Sequence, residues 1–124
     1  MLFMISFVKD SVNIVFHLSV RFDEERNVIV ANSQVNNSWG EEERKTDYFP
    51  FEPSQPFEME IQYEEKYFNV TVNDQFLLQF MTREKTMEEL SKVFVEGDVS
   101  VQNIRVETLS GETNKECEEL PLTT

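Results

Sequence analysis

Cysteine and histidine are nearly missing from this 124-residue chain, which holds one of each, Cys117 and His17. A single cysteine closes no disulfide within the chain, a usage that suits a reducing compartment. No Ser/His/Asp, Cys/His or metal-ligand constellation is assembled from so few such residues, so the sequence calls for no catalytic residue, no metal and no cofactor. Basic residues are scarce as well: 11 Lys and Arg stand against 24 Asp and Glu, a formal charge of −13. That field repels nucleic acid and anionic membrane surfaces and favours a neutral ligand. No apolar run approaches the roughly 20 residues of a membrane span, so no membrane insertion is expected. The apolar start, residues 1–8, lacks a basic leader and a small-residue cleavage site, and Lys9-Asp10 interrupts it. It reads as a buried strand rather than a signal peptide, which points to the cytoplasm. Repeats, low-complexity tracts and a second domain are absent from the pattern.

What is there is apolar bulk in alternation. A hydrophobic fraction of 40% with 11 Phe suffices for one core. Period-two patterning predicts strands over residues 2–8, 13–22, 28–32, 58–64, 67–72 and 75–80, with another leading through Arg44 and a last one ending at Val106. Asn73-Asp74 is a hairpin turn, and the segment 49–57, with three prolines, is a connection that no central strand tolerates. Residues 86–92, opening on Thr86 with Glu89 three places on, predict one helical turn. The fold class is all-β, a two-sheet antiparallel sandwich spanning residues 1–107, followed by a polar, acidic, disordered tail over 108–124. Two glycosylation sequons occur, at Asn36-Asn37-Ser38 and Asn69-Val70-Thr71.

Against this background one set of polar residues stands out. His17, Ser19 and Arg21 follow one another at spacing two and share one strand face, while Phe16, Leu18, Val20 and Ile14 fill the other. Asn32 closes the next strand. The lone Trp39 follows in a loop beside Gly40, and Glu42 and Arg44 share one side of the strand after it. Hydrogen-bonding groups beside one exposed indole suit a sugar, which has many hydroxyls to satisfy and an apolar ring face to cover. A glycosidase needs two carboxyls flanking the scissile bond; Glu24 and Glu42 are the pair to consider, but Glu24 lies in an ordinary charged turn, so the chain is read as no enzyme.

These pieces resemble one family. Val15-Phe16-His17-Leu18-Ser19-Val20-Arg21-Phe22 looks like the galectin motif in which His, Asn and Arg alternate before a Phe. Val28 to Ser33 resembles the strand that follows it, Trp39-Gly40-Glu41-Glu42-Glu43-Arg44 matches Trp-Gly-x-Glu-x-Arg, and Tyr48-Phe49-Pro50-Phe51 resembles the segment after that. The resemblance covers about residues 3–107. It implies a jelly-roll sandwich and a lectin that binds β-galactosides, on glycoproteins or glycolipids, without metal. It implies that His17 and Arg21 hydrogen-bond the axial hydroxyl of galactose, that Asn32 and Glu42 hold the exocyclic hydroxyl, that Trp39 stacks on the ring, and that Glu42 and Arg44 reach the adjoining sugar. It also implies export to the extracellular space without a signal peptide.

The sequence departs from the family in two ways. Ser19 stands where the family carries Asn, which removes an amide donor and predicts altered affinity. The chain also begins at what looks like the family's third strand, so the sandwich is expected to be shortened at its N-terminus, with sheet edges open to a second copy or another partner. Both departures support an alternative: a galectin-fold protein with weak or lost sugar binding that acts through protein contacts.

Overall fold

A computed structural model of the chain describes residues 2–22, 26–64, 66–83 and 92–99, together with the strands at 106–109, 117–118 and 122–123. The described elements are all strands: β1 (Leu2–Asp10), β2 (Asn13–Arg21), β3 (Val28–Val35), β4 (Ser38–Trp39), β5 (Glu43–Lys45), β6 (Met59–Glu64), β7 (Tyr67–Val72), β8 (Gln75–Met81), β9 (Lys92–Gly97), β10 (Val106–Leu109), β11 (Cys117–Glu118) and β12 (Leu122–Thr123). They form two sheets. One runs β12-β9-β1-β2-β3-β4, with β5 also paired to β3; the other runs β11-β10-β6-β7-β8.

The expected all-β sandwich is therefore present, and alternation explains it. Phe3, Ile5 and Phe7 of β1, Leu18 and Val20 of β2 and Val93 and Val95 of β9 turn one face of the first sheet inward. Ile61, Tyr63, Phe68, Val70, Val72, Leu77 and Phe80 do the same for the second. Phenylalanine fills the space between: Phe16 stacks on Phe68 with centroids 4.7 Å apart and on Phe80 at 5.0 Å, and Tyr63 stacks on Phe68 at 4.8 Å. A second aromatic group closes one end, where the proline-rich connection delivers Phe51 edge-on to Phe3 and Phe57. No strand forms over residues 46–58, as the prolines require.

Two hairpins turn on asparagine and aspartate. Asn36 and Asn37 join β3 to β4, Asn73 and Asp74 join β7 to β8, and all four carry positive φ, between 49° and 68°. Turns of type I′ need both central residues in that region, and Asn and Asp enter it at least cost after glycine. The turn at Asn73-Asp74 is where alternation put it.

Several details differ from the sequence reading. In β2 the pairing passes from Ile14↔Gln34 to His17↔Asn32, which places one extra residue on β2. This bulge buries Val15 and Phe16 consecutively and leaves Ile14, expected in the core row, only half-buried. Asn32 does not end its strand, which continues to Val35 so that Gln34 can pair with Trp39. Trp39 thus lies on a short strand rather than in a loop. The predicted helical turn over 86–92 falls outside the described residues except for Lys92, which opens β9. That strand was not anticipated. It ends at Gly97, where φ is +105° and any Cβ would lie 2.3 Å from the Leu2 carbonyl oxygen, so a side chain is sterically shut out.

The pairing is antiparallel except at two places: β10 runs parallel to β6, and β12 runs parallel to β9. The outermost strands are β12 and β4 in the first sheet and β11 and β8 in the second. The segment expected to be a disordered tail from residue 108 includes the end of β10 and all of β11 and β12, and its other residues lie outside those described.

Candidate functional site

The outward face of the first sheet carries the polar set. β2 is central, flanked by β1 and β3, and the register sets its neighbours: Ser6↔His17↔Asn32 form one row, and Met4↔Ser19↔Val30 the next, with Arg44 opposite Val30. β2 alternation turns His17, Ser19 and Arg21 to this face because Leu18 and Val20 are committed to the core.

His17 is half-buried. Its Nδ1 lies 2.7 Å from the Ser6 hydroxyl, and its ring meets Trp39 edge-to-face with centroids 5.0 Å apart and planes at 62°. Burial is the main cause that holds its pKa below the ordinary imidazole range; Glu96 opposes this, and Arg21 adds to it. The ring is therefore neutral near pH 7, with one N–H to donate and one lone pair to accept. Trp39 remains 50% exposed, an indole steadied on one side by the imidazole and open on the other.

Ser19 is in the set but beneath it. Only 2% of the residue is exposed, and its hydroxyl accepts a hydrogen bond from Arg21 Nε at 3.1 Å. It fixes the guanidinium and offers almost no surface of its own. Glu42 and Arg44 stand together on the exposed rim, with Glu42 Oε1 accepting from Arg44 Nη2 at 3.0 Å and from Nε at 3.2 Å. Such a pair adds little to stability, but it orients both charges.

Asn32 is 6% exposed and tightly engaged. Its Nδ2 donates to the Gly40 carbonyl at 3.0 Å, and its Oδ1 accepts from Ser33 N–H at 2.8 Å and from Arg83 Nη1 at 2.8 Å. Arg83 was missed by sequence reasoning. It lies just past β8 of the other sheet, 51 positions from Asn32, and no local pattern marks it.

The seven residues singled out from the sequence thus lie on or beside one sheet face: His17 against the Trp39 indole and in one row with Asn32, Ser19 under Arg21, and the Glu42–Arg44 pair at the rim. The arrangement presents neutral and cationic donors, one carboxylate acceptor and one aromatic plane. Among the described residues no three His, Cys, Asp or Glu side chains cluster to hold a metal ion.

Residues 2–106 match the family of galactoside-binding lectins. The chain belongs to the galectins. It is 42% identical to galectin-3 of Oryctolagus cuniculus over 90 residues, which make up 72% of this chain and 37% of that protein. The chain therefore spans little more than a third of that curated relative. Among solved structures, the galectin LEC-6 of Caenorhabditis elegans superposes with a TM-score of 0.69 at 25% identity, covering 77% of this chain and 64% of that one. A toad ovary galectin in complex with N-acetylgalactose gives a TM-score of 0.60 at 26% identity, covering 67% and 63%.

Proposed function

We propose that this galectin binds β-galactoside-containing glycans without a metal ion, through the face shared by β2, β3, β4 and β5. The observation that carries the reading is the half-exposed indole of Trp39 standing edge-on to a neutral His17, beside Arg21, Asn32, Glu42 and Arg44. An indole plane covers the apolar face of a pyranose at low entropic cost. The donors around it discriminate epimers. Galactose differs from glucose in the direction of one hydroxyl, and a half-buried imidazole and guanidinium left unpaired by the wrong epimer cost ~1–3 kcal/mol. The complex of the toad relative with N-acetylgalactose supports a galactose-type sugar.

The test is retention on a lactose-coupled resin in the presence of EDTA. Elution by free lactose but not by cellobiose is expected, with Trp39→Ala passing straight through. If wild type and Trp39→Ala pass through alike, the lectin reading is lost.

A second reading is a galectin fold that has lost useful sugar affinity and acts through protein contacts. It is favoured by the burial of Ser19, which keeps its hydroxyl away from the open face. The same resin decides between the two.

A further inference from the structure

Arg83 reaches across the sandwich and grips the first sheet at four points. Nη1 donates to Asn32 Oδ1 at 2.8 Å and to Ser33 Oγ at 3.3 Å. Nη2 donates to the Glu41 carbonyl at 2.7 Å and to Glu43 Oε2 at 3.1 Å. The guanidinium carbon sits 5.0 Å above the centre of the Phe80 ring, which is itself fully buried. Only 28% of the side chain is exposed. Gly40 makes room for it: a Cβ there would lie 2.4 Å from Nη1 and 3.3 Å from Asn32 Oδ1.

We infer that Arg83 is a positioning residue for the sugar site, acting through Asn32 and through the connection between Trp39 and Arg44. A guanidinium has donors only, so it accepts no bond from an amide nitrogen. Together with the Ser33 N–H, it favours the Asn32 rotamer in which Oδ1 faces Arg83 and Nδ2 faces away. One Nδ2 hydrogen then goes to the Gly40 carbonyl, and the other has no partner among the described residues. Asn32 shares a row with His17, and in this reading that hydrogen is the donor a ligand hydroxyl meets. The second arm of the fork holds Glu41 and Glu43, the two neighbours of Glu42, which sets where Glu42 and the β4–β5 connection stand. A planar fork can do both at once; a point charge such as lysine cannot.

The inference rests on the lectin reading for its ligand, but its structural half is measured separately. Lactose and 6′-deoxylactose, which lacks the exocyclic hydroxyl assigned to Asn32 and Glu42, are titrated calorimetrically into wild type, Arg83→Ala, Arg83→Lys and Gly40→Ala. Wild type is expected to prefer lactose. Arg83→Ala is expected to lose about tenfold on lactose and little on the deoxy sugar, so the preference collapses. Gly40→Ala, which displaces the guanidinium without deleting it, is expected to behave alike, and Arg83→Lys to restore little.

A general loosening of the fold would instead weaken both sugars equally. That result, or an undiminished preference in Arg83→Ala, overturns the role. The Asn32 side-chain amide resonances supply the ligand-free arm. They are expected to shift in Arg83→Ala, and unchanged resonances also overturn it. If wild type binds neither sugar while those resonances shift, the lectin reading falls and the positioning of Asn32 by Arg83 stands.

Discussion

The two sheets each turn one face away from the core, and the two faces are built on opposite principles. The outward face of β6, β7 and β8 carries Glu60, Gln62, Asn69, Thr71 and Gln79 in ordinary contact with water, and Phe76 stands 61% exposed among them. Its hydrogen bonds are surface ones, such as Gln79 Nε2 to Asn69 Oδ1 at 3.0 Å. The outward face of β1, β2 and β3 instead buries Ser6, Ser19 and Asn32. Polar groups shut away from water must be satisfied by one another, because each unpaired one costs several times what a surface bond returns. Hence Ser6 meets His17, Ser19 meets Arg21, and Asn32 meets Gly40, Ser33 and Arg83. A face that is neither core nor freely solvated, yet extensively cross-bonded, is one whose side chains are held in place before any ligand arrives.

The largest expected contrast lies between the exposed aromatics of the two faces. Trp39→Ala should weaken lactose binding at least tenfold, about 1.4 kcal/mol or more, while Phe76→Ala leaves it unchanged. Both variants should melt close to wild type, since neither ring is part of the core. Titration calorimetry with a melting curve checks both, and a drop in affinity for Phe76→Ala would mean that the faces are not functionally distinct.

A second contrast sharpens the energetic claim. Asn32→Ala removes an amide that the Gly40 carbonyl, the Ser33 N–H and Arg83 Nη1 all bond, so it should destabilise by about 1–3 kcal/mol in urea unfolding. Asn69→Ala deletes a surface bond to Gln79 and should stay within about 0.5 kcal/mol of wild type. Equal costs at the two positions would show that Asn32 is solvated after all.

Those pairs also mark what the sequence made legible. Alternation located β2, β6, β7 and the Asn73-Asp74 turn because one buried face imposes period two, and the prolines of 49–57 ruled out a strand there. Six of the seven site residues lie on β2, β3, β4 and β5 of one sheet, so chain order nearly gave their spatial order. The rest depended on contacts distant along the chain. The bulge that shifts Val15 into the core breaks the very periodicity used to read β2. Burial of Ser19 follows from Arg21 folding over it, and alternation assigns a face but not a depth. Arg83 joins the site from the opposite sheet. The parallel pairing of β10 with β6 and of β12 with β9 leaves no mark in either strand's own pattern.

The smallest expected effect concerns protons. His17 is the one titratable group on the buried polar face whose ordinary pKa is near neutrality, about 6.5. Burial lowers it, with Arg21 acting in the same direction and Glu96 against. The unfolded chain therefore takes up the proton first as pH falls. The stability contributed by the neutral ring is complete above the unfolded value and is lost as pH drops through the lower, folded one. The groups around the ring are Ser6, Trp39, Arg21 and Glu96. Because the whole chain carries a charge of −13, protonating its other carboxylates relieves repulsion over an overlapping range. The measurement is therefore a difference: melting temperature against pH for wild type minus that for His17→Gln. The difference should be flat above pH ~7 and decline as pH falls below about 6.5. A difference that rises on acidification would mean that the folded protein prefers the imidazolium, and that the polar face is wetter than its bonding implies.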